Sequence, residues 1–235
     1  MDAASARQNL KSQLNFKTQL RDVTGIPTLR VLCVGLTAMT LGLTGIIYWL
    51  PSLFVRDFGL DEAQAGSIAG GLGIVGVVAG AVYGGRLGAR WHFTRLGGRM
   101  LAGGGGILLG SLVLGLTLVT SSLPLFVAGL LVSFFLMALA IPNLTACIAD
   151  VVIASSRGIG FALIQFLIAL GSAFGPLIVG GVSDAVGSLT AAMYALVVPM
   201  VLGAALIVRG RRHFERDSGR VLDAARAEVG DAAQE

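Results

Sequence analysis

The chain has 235 residues, of which 55% are hydrophobic, only 13% are charged and 34 are glycine. Soluble domains carry about a quarter charged residues, so a composition this poor in polar side chains cannot cover a folded surface in water. The formal charge of +4 is gathered into short clusters, leaving uncharged runs over 31–55, 63–85, 100–149, 158–183 and 185–208.

A bilayer core needs about 20 apolar residues per helix. Four of the runs are one span each, and the run of 50 is two, divided at TSSLP (120–124), where polar residues and a proline end one helix and start the next. The expected fold is an all-α membrane protein of six transmembrane helices, at about 29–50, 63–86, 99–119, 124–149, 158–182 and 187–208. Residues 1–27 form a polar, amphipathic cytoplasmic segment, 28–208 the six-helix membrane domain and 209–235 a cytoplasmic tail. The first 27 residues hold no apolar core near Met1, so no cleaved signal peptide is expected and the first span acts as the insertion signal.

Within residues 10–23, LKSQLNFKTQLRDV spaces apolar residues among Lys and Arg, which suits either a helix lying on the inner headgroup layer or a solvated tail. Span one closes at IIYWLP, where Tyr48 and Trp49 sit at the outer interface and Pro51 stops the helix. In the loop that follows, Asp61 with Gln64 three residues on reads as a helix cap for span two.

Span two contains GLGIVG (71–76), the spacing of a dinucleotide fingerprint, but no strand precedes it and no acid follows about 20 residues later. Gly66, Gly70, Gly73, Gly80 and Gly84 recur along one helix face instead, which points to a packing seam, since small residues let membrane helices approach closely. The AGGGGILLG of span three reads the same way, although four glycines in a row could also loosen that helix. Cys33 and Cys147 read as small packing residues.

No ionisable residue falls at mid-bilayer, where one would be a default functional candidate. Uncharged polar residues are patterned, however. Thr37, Thr40, Thr44 and Tyr48 share a face of span one, Phe161, Gln165 and Ser172 share a face of span five, and Asn143 follows Pro142 in span four. Such stripes fit either hydrogen bonding between helices or a polar path, and the amides of Asn143 and Gln165 lean towards the path because each needs several partners. At the cytoplasmic boundary Asp150 ends span four and Arg157 precedes span five, free to pair with each other or with Arg86 and Arg90, or simply to sit at the interface. No catalytic residues, metal ligands or cofactor motif stand out, and His92 and His213 read as solvated surface residues, so the chain is not expected to be an enzyme.

Orientation follows from Lys and Arg. With both termini inside, 16 of the 17 cationic residues are cytoplasmic and only Arg56 is external. The basic residues thus mark topology and contact with membrane lipids, not nucleic acid.

These features resemble one half of a major facilitator superfamily transporter. In GGRLGARWHFTRLGGR, after span two, Gly85, Leu87 and Arg90, then Gly98 and Arg99, match the family's loop signature, while Ala89 stands where the family has an acid. YWLPSLFVRDFGLDEAQAG, IADVVIASSRGIGFA and GSAFGPLIVGGVSD resemble the C-terminal half of Spinster-like members, which export lipids or lysolipids, and VTGIPTLRVL resembles the end of the central loop.

The resemblance implies one six-helix bundle whose spans one, two, four and five line a central cavity, with Thr40, Thr44, Tyr48, Asn143 and Gln165 facing it. It also implies a gating loop formed by Gly85, Arg86, Arg90, Arg99, Asp150 and Arg157, and a bend in span five at Gly175 and Pro176. The implied activity is transport of a small amphipathic molecule or lipid by alternating access, in the inner membrane, without a cofactor. It requires a second bundle as partner: an N-terminal half, a separate chain or a second copy. The competing reading is a non-transporting remnant or assembly protein that packs against other membrane helices.

Overall fold

The computed structural model describes residues 16–92, 94–95 and 97–232 and contains six helices long and apolar enough to cross a membrane. Residues 16–25 form a short helix, α1, with Val23 buried; the rest of the amphipathic stretch expected at 10–23 lies outside the described residues. The spans are α2 (Pro27–Phe58), α3 (Glu62–His92), α4 (Gly98–Leu118), α5 (Leu123–Ala138) with α6 (Ala140–Val151), α7 (Arg157–Val186) and α8 (Leu189–Ala232). Described residues at both ends of the chain lie at the same end as Arg90 and Arg157, the basic end; Asp57, Asp61 and Asp184 lie at the other, acidic end.

Pro51 does not stop the first span. α2 runs through it to Phe58 and ends at Gly59, whose left-handed backbone (φ 66°) turns its N–H onto the Phe54 carbonyl. Gly187 closes α7 in the same way, at φ 73°. Asp61 caps α3, accepting the Gln64 N–H at 2.8 Å. α8 crosses the membrane and continues as one helix to Ala232.

Apolar burial does not drive helices together in lipid, so the bundle depends on close backbone approach and dispersion contacts. α2 lies between α7 and α8. Side-chain carbons added at Gly45 and Gly175 would each meet the other's backbone within 2.8 Å, and one added at Gly203 would meet Ala38 and Gly35 within 3.0 Å. The glycines of α4 face different neighbours: Gly103 meets Leu144 of α6, Gly104 meets Ile207 of α8, and Gly106 meets Leu136 and Leu139 of span four. The run at 103–106 therefore admits helices on several sides, and α4 stays continuous through it.

The seam of α3 differs from the sequence expectation. Gly80 and Gly84 do pack on the backbone of Phe135 and Leu139, and Gly76 on Phe134 and Leu131 and Gly88 on the Asn143 side chain extend the contact, whereas Gly66, Gly70 and Gly73 have nothing within 4 Å. Contact follows the i+4 row 76, 80, 84, 88, as ridge-into-groove packing requires, and that row extends back through the core-packed Leu72 and Ile68. GLGIVG sits mid-helix, without the strand and turn a nucleotide site needs.

Gly84→Leu therefore separates α3 from span four and should lower the melting temperature of the purified chain by several degrees. Gly70→Leu, on an open face, should leave it unchanged. Thermal size-exclusion chromatography checks both, and equal effects would contradict this seam.

Candidate functional site

Proline shapes the site. Pro142 has no N–H for the Ala138 carbonyl and its ring crowds that residue, so span four breaks between α5 and α6 at Leu139. Pro176 of α7 likewise frees the Ser172 carbonyl. Thr44 of α2 lies beside it: its hydroxyl donates to the Thr40 carbonyl at 2.7 Å and makes a second, longer contact of 3.3 Å with the Ser172 oxygen. One turn on, Trp49 donates its Nε1–H to the Pro176 carbonyl at 3.0 Å.

Beside this crossing, α2, α6 and α7 part to leave a cavity of about 570 Å³. Its walls are Leu36, Met39 and Thr40 of α2, Ala140, Ile141, Leu144, Thr145 and Ile148 of α6, and Phe161, Ile164, Gln165 and Ile168 of α7. Among the described residues no charged side chain lines it, and α3, expected to contribute, does not. The cavity thus draws on spans one, four and five, the three that carry the polar stripes.

Of the five residues expected to face it, Thr40 and Gln165 do. Thr44 is held in the α2–α7 crossing. Tyr48 is 66% exposed, edge-on to Trp49 at 5.6 Å between ring centroids, and not part of the cavity wall. Asn143 is buried on the opposite side of α6, with its Nδ2 donating to the Gly84 carbonyl at 2.8 Å and to the Leu139 carbonyl at 2.7 Å. Its amide found the partners it needs in two backbones at the span-four break, and a side chain at Gly88 would collide with it. Thr145 is the cavity residue that sequence reasoning missed; an isolated threonine carries no periodic signal.

At the basic end, Asp150 pairs with neither Arg157 nor Arg86 nor Arg90. It accepts from Arg99 Nη1 at 2.9 Å, tying the end of α6 to the start of α4, and Arg157 turns its Nε–H to the Val152 carbonyl at 3.3 Å. With side chains 26% and 34% exposed, the Arg99–Asp150 pair contributes on the order of 0.2–1 kcal/mol. Arg86 and Arg90 are exposed, and Gly85 faces Pro142.

Two stronger ties come from the extension of α8 beyond the bundle. Asp217, buried, accepts the Thr28 N–H at 3.0 Å and the Thr28 hydroxyl at 2.7 Å, capping α2 from another helix, while its second oxygen lies 3.8 Å from Arg216 Nε. Glu215 accepts the Gly97 N–H at 2.6 Å, at the start of α4. Hydrogen bonds to a charged acceptor contribute about 1.5–3 kcal/mol. The available signal was FERD (214–217), two acids inside a segment otherwise rich in arginine. Among the described residues no cluster of three or more His, Cys, Asp or Glu could hold a metal ion.

A membrane bundle of six helices with an uncharged cavity on one flank is the architecture of half a transporter fold. The chain belongs to the Major Facilitator Superfamily, whose family profile matches residues 32–230. Among solved structures it is similar to a bacterial homologue of the human lysosomal transporter Spinster in its inward-facing, unoccupied form, with a TM-score of 0.69 at 18% identity over 85% of this chain and 50% of that one. The occupied form of the same homologue gives a TM-score of 0.64 at 18% identity, covering 83% of this chain and 51% of that one. The chain therefore spans about half the length of the structures it matches, and at this identity the likeness is one of fold. No curated protein matches it.

Asn143→Ala should lower thermal stability by about 1 kcal/mol while leaving ligand affinity unchanged. Melting and binding measured on the same preparation check this, and altered affinity at unchanged stability would return Asn143 to the cavity wall.

Proposed function

We propose that the chain is one six-helix half of a Spinster-like transporter, moving a small amphipathic molecule or lipid by alternating access once paired with a second bundle. The observation that carries this reading is the cavity between α2, α6 and α7: large, apolar and uncharged, with only Thr40, Thr145 and Gln165 to meet a polar group. Such a wall suits a ligand that is mostly hydrocarbon.

The uneven burial of the spans supports the need for a partner. Only 17% of the apolar window of α3 and 22% of that of α7 is buried within the chain, against 61% for α4. The uncovered part of α3 includes Gly66, Gly70 and Gly73, where a neighbouring backbone can come close. A second bundle against α3 and α7, whether an N-terminal half, a separate chain or a second copy, would turn the flank cavity into a central one and supply the partner against which this bundle rocks. Asp150, Arg99 and Arg157, with Gly85, Arg86 and Arg90 on α3, would then belong to the end that opens and closes.

We infer from the charge asymmetry of the loops that the basic end faces the cytoplasm, and we read the membrane as a bacterial inner membrane from the likeness to a bacterial homologue. Single cysteines at Arg95 and at Glu62, in a chain whose own cysteines are replaced, test this in whole cells. A membrane-impermeant maleimide should label the Glu62 site alone, and labelling at Arg95 would reverse the orientation.

For transport, the chain is purified together with the bundle it associates with in its native membrane and reconstituted, and efflux of a fluorescent lysophospholipid is followed. Gln165→Leu should slow efflux about tenfold, equivalent to 1.4 kcal/mol, without changing the melting temperature. Undiminished efflux in that variant would remove Gln165 from the path. No efflux from the wild-type pair would favour a packing role instead.

A further inference from the structure

The hydrogen-bonding inventory of the cavity narrows what it can hold. A threonine hydroxyl carries one proton. Thr40 spends its proton on the Leu36 carbonyl and Thr145 spends its own on the Ile141 carbonyl at 2.6 Å, each within its own helix. Both therefore present only lone pairs to the cavity. Gln165 has no hydrogen bond to any described residue and is exposed on the cavity side of α7, so its amide is the sole side-chain group there with N–H to give. The nearest charges on α6 and α7 are Asp150 and Arg157, beyond the cavity at the basic end, and Asp150 is already engaged by Arg99.

An ion moved from water into an apolar site without a counter-charge loses far more solvation than one amide or two hydroxyl oxygens return. The same site can hold an uncharged polar group, provided that it accepts from the Gln165 Nε2–H and donates, if at all, to the threonine oxygens or Gln165 Oε1. On the reading of this cavity as the ligand site, we propose that Gln165 determines specificity by selecting an uncharged, acceptor-bearing segment joined to an alkyl chain, such as an ester, amide or hydroxyl, and that carboxylate or ammonium groups are excluded from this wall. A charged headgroup, where the ligand has one, lies outside the cavity.

The test is equilibrium binding of three radiolabelled probes of equal chain length, monodecanoylglycerol, decanoate and decylamine, to the full chain in nanodiscs at neutral pH. Specific binding is the part lost in Ile141→Trp, which fills the cavity. The neutral glyceride should bind about tenfold more tightly than either ion, and Gln165→Leu should weaken the glyceride about tenfold. Gln165→Glu should shift preference towards decylamine, a reversal that a merely structural role would not produce. Binding of all three probes within about twofold of each other, or glyceride binding unaffected in Gln165→Leu, overturns the selectivity and leaves the cavity as a non-selective site. If Ile141→Trp removes no binding of any probe, the cavity is not a ligand site, and the transport reading falls with the selectivity.

Discussion

The bundle rests on backbone-to-backbone contact. In a bilayer, leucine gains nothing by leaving lipid for a helix interface, so helices hold each other by shape and by hydrogen bonds. Gly45 and Gly175 at the α2–α7 crossing, Gly35 and Gly203 at the α2–α8 crossing, and the 76, 80, 84, 88 row of α3 set those distances. The cavity lies beside the first of these: α2 and α7 touch at Gly45 with Gly175 and at Thr37 with Gly171, and α6 meets that joined pair across a gap.

Backbone accounting explains several of the polar side chains. With no water in the hydrocarbon to satisfy a free carbonyl, each proline break needs a local donor. Thr44 gives a second, longer contact to the Ser172 carbonyl at the Pro176 site, and next to the Pro142 break Asn143 ties the Leu139 carbonyl to that of Gly84 on α3. Periodicity marks a polar face but does not say whether that face meets a cavity or a neighbouring helix, and for this reason Thr40 and Thr44, one turn apart, have different roles.

The number of spans, their division at TSSLP and the Asp61 cap were legible because each depends on local sequence: a charge-free length, a proline after small polar residues, an acid three positions before an N–H. The α3 seam was legible only in part, since an average helical period cannot tell an i+4 row from a straight face until the crossing angle is known. The partner of Asp150 was not legible. Arg99 is 51 positions away in the chain, against seven for Arg157, and only the packing of α4 on α6 makes it the partner. Neither were the ties made by Glu215 and Asp217, which span 118 and 189 positions.

Those two ties change what α8 is mechanically. From 209 to 232 it projects about 36 Å past the membrane span, so a tilt of about 10° would carry its tip sideways by about 6 Å if the shaft were free. It is not free: two carboxylates a third of the way out bolt it to the first turns of α2 and α4. The shaft behaves as a bracket, and leverage applied to its far end is delivered to the roots of two other spans.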